Sequence, residues 1–167
     1  DPYVEELVMA KYGVEPVGLT ELLQRSDIVS MHAPGTPETK HLLKEEHFRL
    51  MKPHSLFINN GRGSTVDELA LIRALEEGWI DAAGLDVLEK EPPDLENPLL
   101  HMDNVTITPR VASASARFDP RRKRRVGEEI ALVLTGRWPM ACVNPSVLEG
   151  SDLTRWQPYS MERGPAR

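Results

Sequence analysis

Short apolar runs alternate with longer stretches of helical period along most of the chain. Asp27-Ile28-Val29-Ser30-Met31 reads as a buried strand, and Lys44 to Met51 as a helix ended by Lys52-Pro53. Ser55-Leu56-Phe57-Ile58-Asn59 is a second strand, turning through Asn60-Gly61-Arg62-Gly63. Val66 to Glu77 follows as an amphipathic helix, with Val66, Leu69, Ala70, Ile72, Arg73 and Leu75 mostly at helical spacing and Gly78 as its stop. Ala82 to Val87 and Asn104 to Thr108 complete four strands, the last closed by Pro109. Strands alternating with helices predict an α/β protein with a parallel, doubly wound sheet.

In such sheets ligands bind beyond the carboxyl ends of the strands. The residues there are His32-Ala33-Pro34 with Thr39, then Asn60-Gly61-Arg62-Gly63, then Asp86 with Glu91-Pro92-Pro93, then Pro109-Arg110. Polar turns, arginines and two acids are thereby expected on one rim. After Pro120 the pattern changes. A basic cluster, Arg121 to Arg125, opens a helix that becomes apolar through Ile130, Leu132, Val133 and Leu134. A solvated or interfacial face is the reading of that cluster. Beyond Leu148 the chain turns polar, with scattered Pro and Gly.

Composition narrows the function classes. The 167 residues carry a formal charge of −6, which argues against a general nucleic-acid binder. The 40% hydrophobic share is that of a globular protein. No run approaches the roughly 18–20 apolar residues of a membrane span, so no membrane partner is expected. Cys142, the single cysteine, excludes an internal disulfide, fits a reducing cytoplasm and is expected to be an inert core thiol. No metal is expected. The first residue is Asp1, not Met, from which a trimmed piece of a longer protein is expected.

Ser26 to Pro34 with Thr36-Pro37-Glu38-Thr39 resembles the D-isomer-specific 2-hydroxyacid dehydrogenases. So do Ile58 to Gly63 followed by Val66-Asp67-Glu68, Ala83 to Val87 with Glu91-Pro92, and Asn104 to Pro109. The resemblance runs from Asp1 to about Leu148. It implies a partial Rossmann-like NAD-binding domain over 1–136, lacking the first strands of that domain. A segment over 137–148 would return to a mostly missing substrate domain, and 149–167 would be a poorly ordered tail. The implied activity is NAD-dependent oxidation and reduction between D-2-hydroxy and 2-keto acids in a full-length, homodimeric parent.

The resemblance also assigns roles. Arg62 matches the arginine that binds the substrate carboxylate, a task suited to a planar guanidinium fork. Glu91 matches the glutamate that pairs with the family's catalytic histidine. Asp86 matches the acid near the nicotinamide. Asp1 matches the acid on the adenosine ribose, which favours NAD over NADP. Ala33, Pro34, Thr39, Asn60 and Gly61 match cofactor-lining positions, whereas His32 is expected to be structural.

Two departures stand against this pattern. The family has Thr-Pro-His where this chain has Thr108-Pro109-Arg110. Histidine there works as proton donor and acceptor because its pKa lies near neutral; arginine stays protonated. Second, no Gly-x-Gly-x-x-Gly pyrophosphate turn occurs in the 167 residues. An impaired enzyme is therefore expected, with a catalytically inactive, NAD(H)-binding regulatory or corepressor-like protein as the alternative.

Overall fold

The computed structural model describes residues 3–155; Asp1 and the stretch 156–167 lie outside the described residues. The chain divides into two compact units, Asp1–Ala112 and Ser113–Arg167.

The first unit is built on four short parallel strands in the order β1-β2-β3-β4: β1 (Ile28–Met31), β2 (Leu56–Asn59), β3 (Ala82–Leu85) and β4 (Val105–Ile107). Its helices are α1 (Glu6–Lys11), α2 (Leu19–Arg25), α3 (Glu45–Phe48) and α4 (Glu68–Glu76). The first two precede every element singled out by sequence pattern, and α1 buries none of its residues. Side chains alternate across the sheet as the period of two requires. Val29, Met31, Phe57, Asn59, Ala83 and Leu85 are buried, while Ile28, Leu56 and Ile58 on the other face stay 58%, 37% and 36% exposed.

Leu23 of α2, Phe48 of α3 and the Ala70-Leu71-Ile72 and Ala74-Leu75 stretches of α4 fill the buried side. Phe48 meets Phe57 edge-to-face at 5.5 Å, a favoured aromatic geometry. Leu69, expected on the apolar stripe of α4, is instead 71% exposed. It lies about 200° around the helix from Leu71, which takes the core position. The Asp67 carboxylate caps α4 by accepting from the Ala70 N–H at 3.2 Å, and Gly78 closes it at φ +71°.

The second unit contains α5 (Phe118–Leu134). Arg121 to Arg125 are all exposed, and Arg122 and Arg125 pair along the helix with Asp119 and Glu129, each at 3.0 Å. Of the expected tail over 149–167, the described residues run to Arg155. The Trp138 N–H donates to the Thr154 carbonyl at 3.0 Å, and the Thr154 N–H to the Gly136 carbonyl at 2.7 Å. Cys142, expected in a core, is only partly buried. Its thiol turns toward the Asn144 side chain instead. Among the described residues no helix is long and apolar enough to cross a membrane.

The phase of β2 decides which side chains carry the core. Phe57→Ala should cost about 3–5 kcal/mol of unfolding free energy, and Ile58→Ala, from the half-exposed face, about 1–2 kcal/mol. Urea denaturation of both variants checks this; equal losses would place the core on the wrong face.

Candidate active site

Register aligns the strand ends. Met31 pairs with Asn59, Asn59 with Leu85, and Leu85 with Ile107, so all four strands end level. His32, Asn60, Asp86 and Thr108 are therefore the first residues past one common edge. Two rungs continue into the loops: the Asp86 N–H donates to the Asn59 carbonyl and the Thr108 N–H to the Leu85 carbonyl, each at 2.9 Å.

The second loop carries Arg62 on a bracket of buried polar groups. The Asn59 amide donates to the Arg62 carbonyl at 3.1 Å and accepts from the Gly61 N–H at 3.1 Å. The Thr65 hydroxyl donates to the same carbonyl at 2.6 Å. Asn59 and Thr65 are 2% and 0% exposed. Neither belonged to the expected site; the available signal was a polar residue at a core-facing strand position, Asn59. The Arg62 stem lies against the first loop, since a Cβ on Gly35 would sit 3.1 Å from Arg62 Cγ. Its guanidinium is exposed and donates to the Gly61 carbonyl at 2.8 Å.

A tighter constraint joins the second and third loops. An added Cβ on Gly63 would fall 1.9 Å from the Leu88 carbonyl oxygen, so only glycine fits. Leu88 in turn donates its N–H to Glu91 Oε1 at 3.3 Å, and Arg110 Nη1 donates to Glu91 Oε2. Arg110 adopts φ +56°, a left-handed conformation uncommon outside glycine. Arg110 and Glu91, both expected site residues, are thus paired with each other.

Asp86 binds the fourth loop. Oδ1 accepts from the Thr108 hydroxyl at 2.6 Å and the Val111 N–H at 2.7 Å; Oδ2 accepts from the Ala112 N–H at 2.9 Å. Burial pushes its pKa up, but the Thr108 hydroxyl, the Ala112 and Val111 amides and the Arg110 charge outweigh this and hold it below the usual aspartate value.

The remaining expected residues lie along the first loop. Thr39 closes it, its hydroxyl donating to the Pro34 carbonyl and accepting from the Thr36 N–H at 2.9 Å. Ala33 is partly buried; Pro34 and Asn60 are exposed. His32 is exposed, its Nε2 2.9 Å from the Ser30 hydroxyl. Asp1 lies outside the described residues.

Because folding lowers the Asp86 pKa, its contribution to stability is complete above the unfolded carboxylate range, near pH 4, and is lost as pH falls through the lower folded value. Asp86→Asn should therefore lower stability at pH 7 by about 1–3 kcal/mol. The gap to wild type should narrow as pH falls from 5 to 2. Urea midpoints across that range test the sign; a gap that widens in acid would contradict the assignment.

Known proteins resemble this chain in sequence and in fold. Residues 1–112 match the family profile of the D-isomer specific 2-hydroxyacid dehydrogenase, NAD binding domain. A glyoxylate reductase of Korarchaeum cryptofilum is 44% identical over 137 residues, covering 82% of this chain and 41% of its own. A D-3-phosphoglycerate dehydrogenase of Methanocaldococcus jannaschii is 39% identical over 162 residues, covering 96% of this chain and 31% of its own. The D-lactate dehydrogenase of Aquifex aeolicus, solved with NAD and lactic acid, superposes with a TM-score of 0.72 at 32% identity, over 80% of this chain and 45% of that one. The chain spans about two fifths of the length of the glyoxylate reductases it matches. With a match over more than half of its residues and the parallel sheet in place, the chain belongs to the D-isomer specific 2-hydroxyacid dehydrogenase family by way of its NAD binding domain.

Proposed function

We propose that the whole protein is an NAD-dependent oxidoreductase acting between D-2-hydroxy acids and 2-keto acids, with its proton-transfer step impaired. One observation carries this reading: Arg62, Asp86 and the Glu91–Arg110 pair stand on successive exit loops of one level strand edge. The rim suits a nicotinamide dinucleotide. Gly61 packs closely on the first loop, where an added Cβ would come within 3.1 and 3.2 Å of the Met31 and Ala33 carbonyl oxygens, tighter than ordinary contact. Ala33, Pro34, Thr39, Asn60 and Gly61 would line the cofactor, Asp1 would meet its ribose, and Asp86 would hold the loop beside the nicotinamide. When bound, that cofactor supplies or takes the hydride.

The chain's own groups handle the acid. Arg62 takes the substrate carboxylate through parallel charge-assisted hydrogen bonds. Arg110 faces the keto oxygen as a hydrogen-bond donor and stabilises negative charge developing there. It does not hand over its own proton, because a guanidinium remains protonated across the working range. The proton for the alkoxide then comes from water, at a lower rate than from a positioned acid.

A second reading has its own support. Arg110 takes up Glu91, and an ion pair filling the donor position suits a protein that holds NAD(H) and regulates rather than turns over. Replacing Arg110 distinguishes the two. In the protein expressed from its full gene, Arg110→His should raise 2-keto acid reduction about 10²–10⁴-fold. It should also add a limb in which the rate falls as pH rises through the histidine pKa. Steady-state rates with pyruvate, glyoxylate and phenylpyruvate from pH 5 to 9 provide the check. Superimposable profiles for both forms would remove position 110 from the proton path and favour the regulatory reading.

We also read the whole protein as a cytoplasmic homodimer. The single cysteine supports a reducing compartment, and resemblance to the family supports pairing. Light scattering should give twice the chain mass; a monodisperse monomer would contradict the dimer.

A further inference from the structure

Glu91 reaches Arg110 from a turn that is itself tied down by residues outside the expected site. Glu89, two residues before Glu91, lies 2.5 Å through Oε1 from His41 Nε2. His41 belongs to the loop after β1, 48 positions away. The same Glu89 exchanges bonds with the start of α4. Its N–H donates to Glu68 Oε2 at 2.8 Å, and its Oε2 accepts from the Glu68 N–H at 3.3 Å. Glu68 Oε1 accepts from the Asn97 amide at 2.7 Å, so one glutamate anchors both ends of the 89–97 segment. On the inner side Gly63 presses against Leu88. The His41 N–H donates to the Ser64 carbonyl at 2.8 Å, which ties its backbone to the second loop as well.

We propose that His41 and Glu89 form a clasp that fixes the Leu88–Glu91 turn and thereby sets where Glu91 presents its carboxylate to position 110. They are positioning residues: neither is required to touch substrate or cofactor. The proposal rests on Glu91 being a site residue, as read above. The geometry supplies the reason for a clasp. Glu91 is itself 34% exposed and held locally by one long bond, from the Leu88 N–H at 3.3 Å. Apart from its pairing with Arg110, that single bond is all that holds the carboxylate within its own turn, so its placement follows the backbone of the turn. Three loops meet at Glu89 and its neighbours, and the His41 side chain joins the first loop to the third.

The test reads the turn directly. In the full chain, amide hydrogen exchange is followed by NMR at Leu88, whose N–H donates to Glu91, and at Phe57 and Leu85 in the sheet. His41→Leu and Glu89→Ala should each speed Leu88 exchange roughly fivefold or more, the expectation for losing a charge-assisted bond partly screened by water. The double variant should add little to either single one. His41→Gln puts an amide N–H near the Nε2 position and should restore most of the protection. Leucine and glutamine carry similar backbone penalties at the left-handed φ of +50°, so their difference isolates the side-chain bond. Sheet amides should be unchanged throughout. Equal Leu88 exchange in wild type and His41→Leu would overturn the clasp, as would equal exchange in the leucine and glutamine variants. A loss of protection across the whole sheet would reduce the pair to a general stabiliser and overturn positioning. Because the readout is independent of turnover, failure of the catalytic reading at position 110 leaves this result separately interpretable.

Discussion

The backbone contact between Gly63 and Leu88 sets the spacing of the rim. Any side chain on Gly63 would enter the space of the Leu88 carbonyl, where an added Cβ meets oxygen at 1.9 Å. The two loops therefore approach more closely than side-chain packing permits. That approach brings the turn carrying Glu91 beside the turn carrying Arg62. From Glu91 the connection passes to Arg110, and from the Arg110 loop to Asp86 through Val111 and Ala112. A chain of short-range contacts thus organises groups that lie tens of residues apart in sequence.

Magnitude separates what these polar contacts do. The Arg110–Glu91 pair is 54% and 34% exposed, so its contribution to stability falls in the range of about 0–1 kcal/mol. Its consequence is local: it ties the fourth loop to the turn that carries Glu91. Asn59 and Thr65 are the opposite case. Both are buried, and leaving a buried polar group unpaired costs about 1–3 kcal/mol. Their bonds to the Arg62 carbonyl and the Gly61 N–H hold the turn. Asp86 joins the two roles, stabilising the fourth loop while occupying the edge of the rim.

Much of the frame was legible because it depends on local pattern. The four strand runs, the helix ended by Gly78 and the parallel class follow from apolar alternation and turn residues. The helices before Ile28 were not singled out, and α1, which buries nothing, has no core face to generate a periodic signal. Leu69 shows the limit of periodicity: two leucines lie within a turn of each other, and only the position of the sheet selects Leu71. Cys142 shows another, since a small apolar thiol looks like a core residue until its neighbours are known.

The sequence by itself determined the family pattern and the residue types at the strand ends, Arg110 among them, because these are properties of composition and order along the chain. Tertiary structure decided which of those residues share partners. Arg110 engages Glu91, Asp86 is committed to the 108–112 loop, and His41 meets Glu89 across 48 positions. The physical reason is that strand register and the Gly63–Leu88 approach bring distant loops together. Neither the register nor the approach distance is encoded by any one segment; each arises when several segments bury one common core.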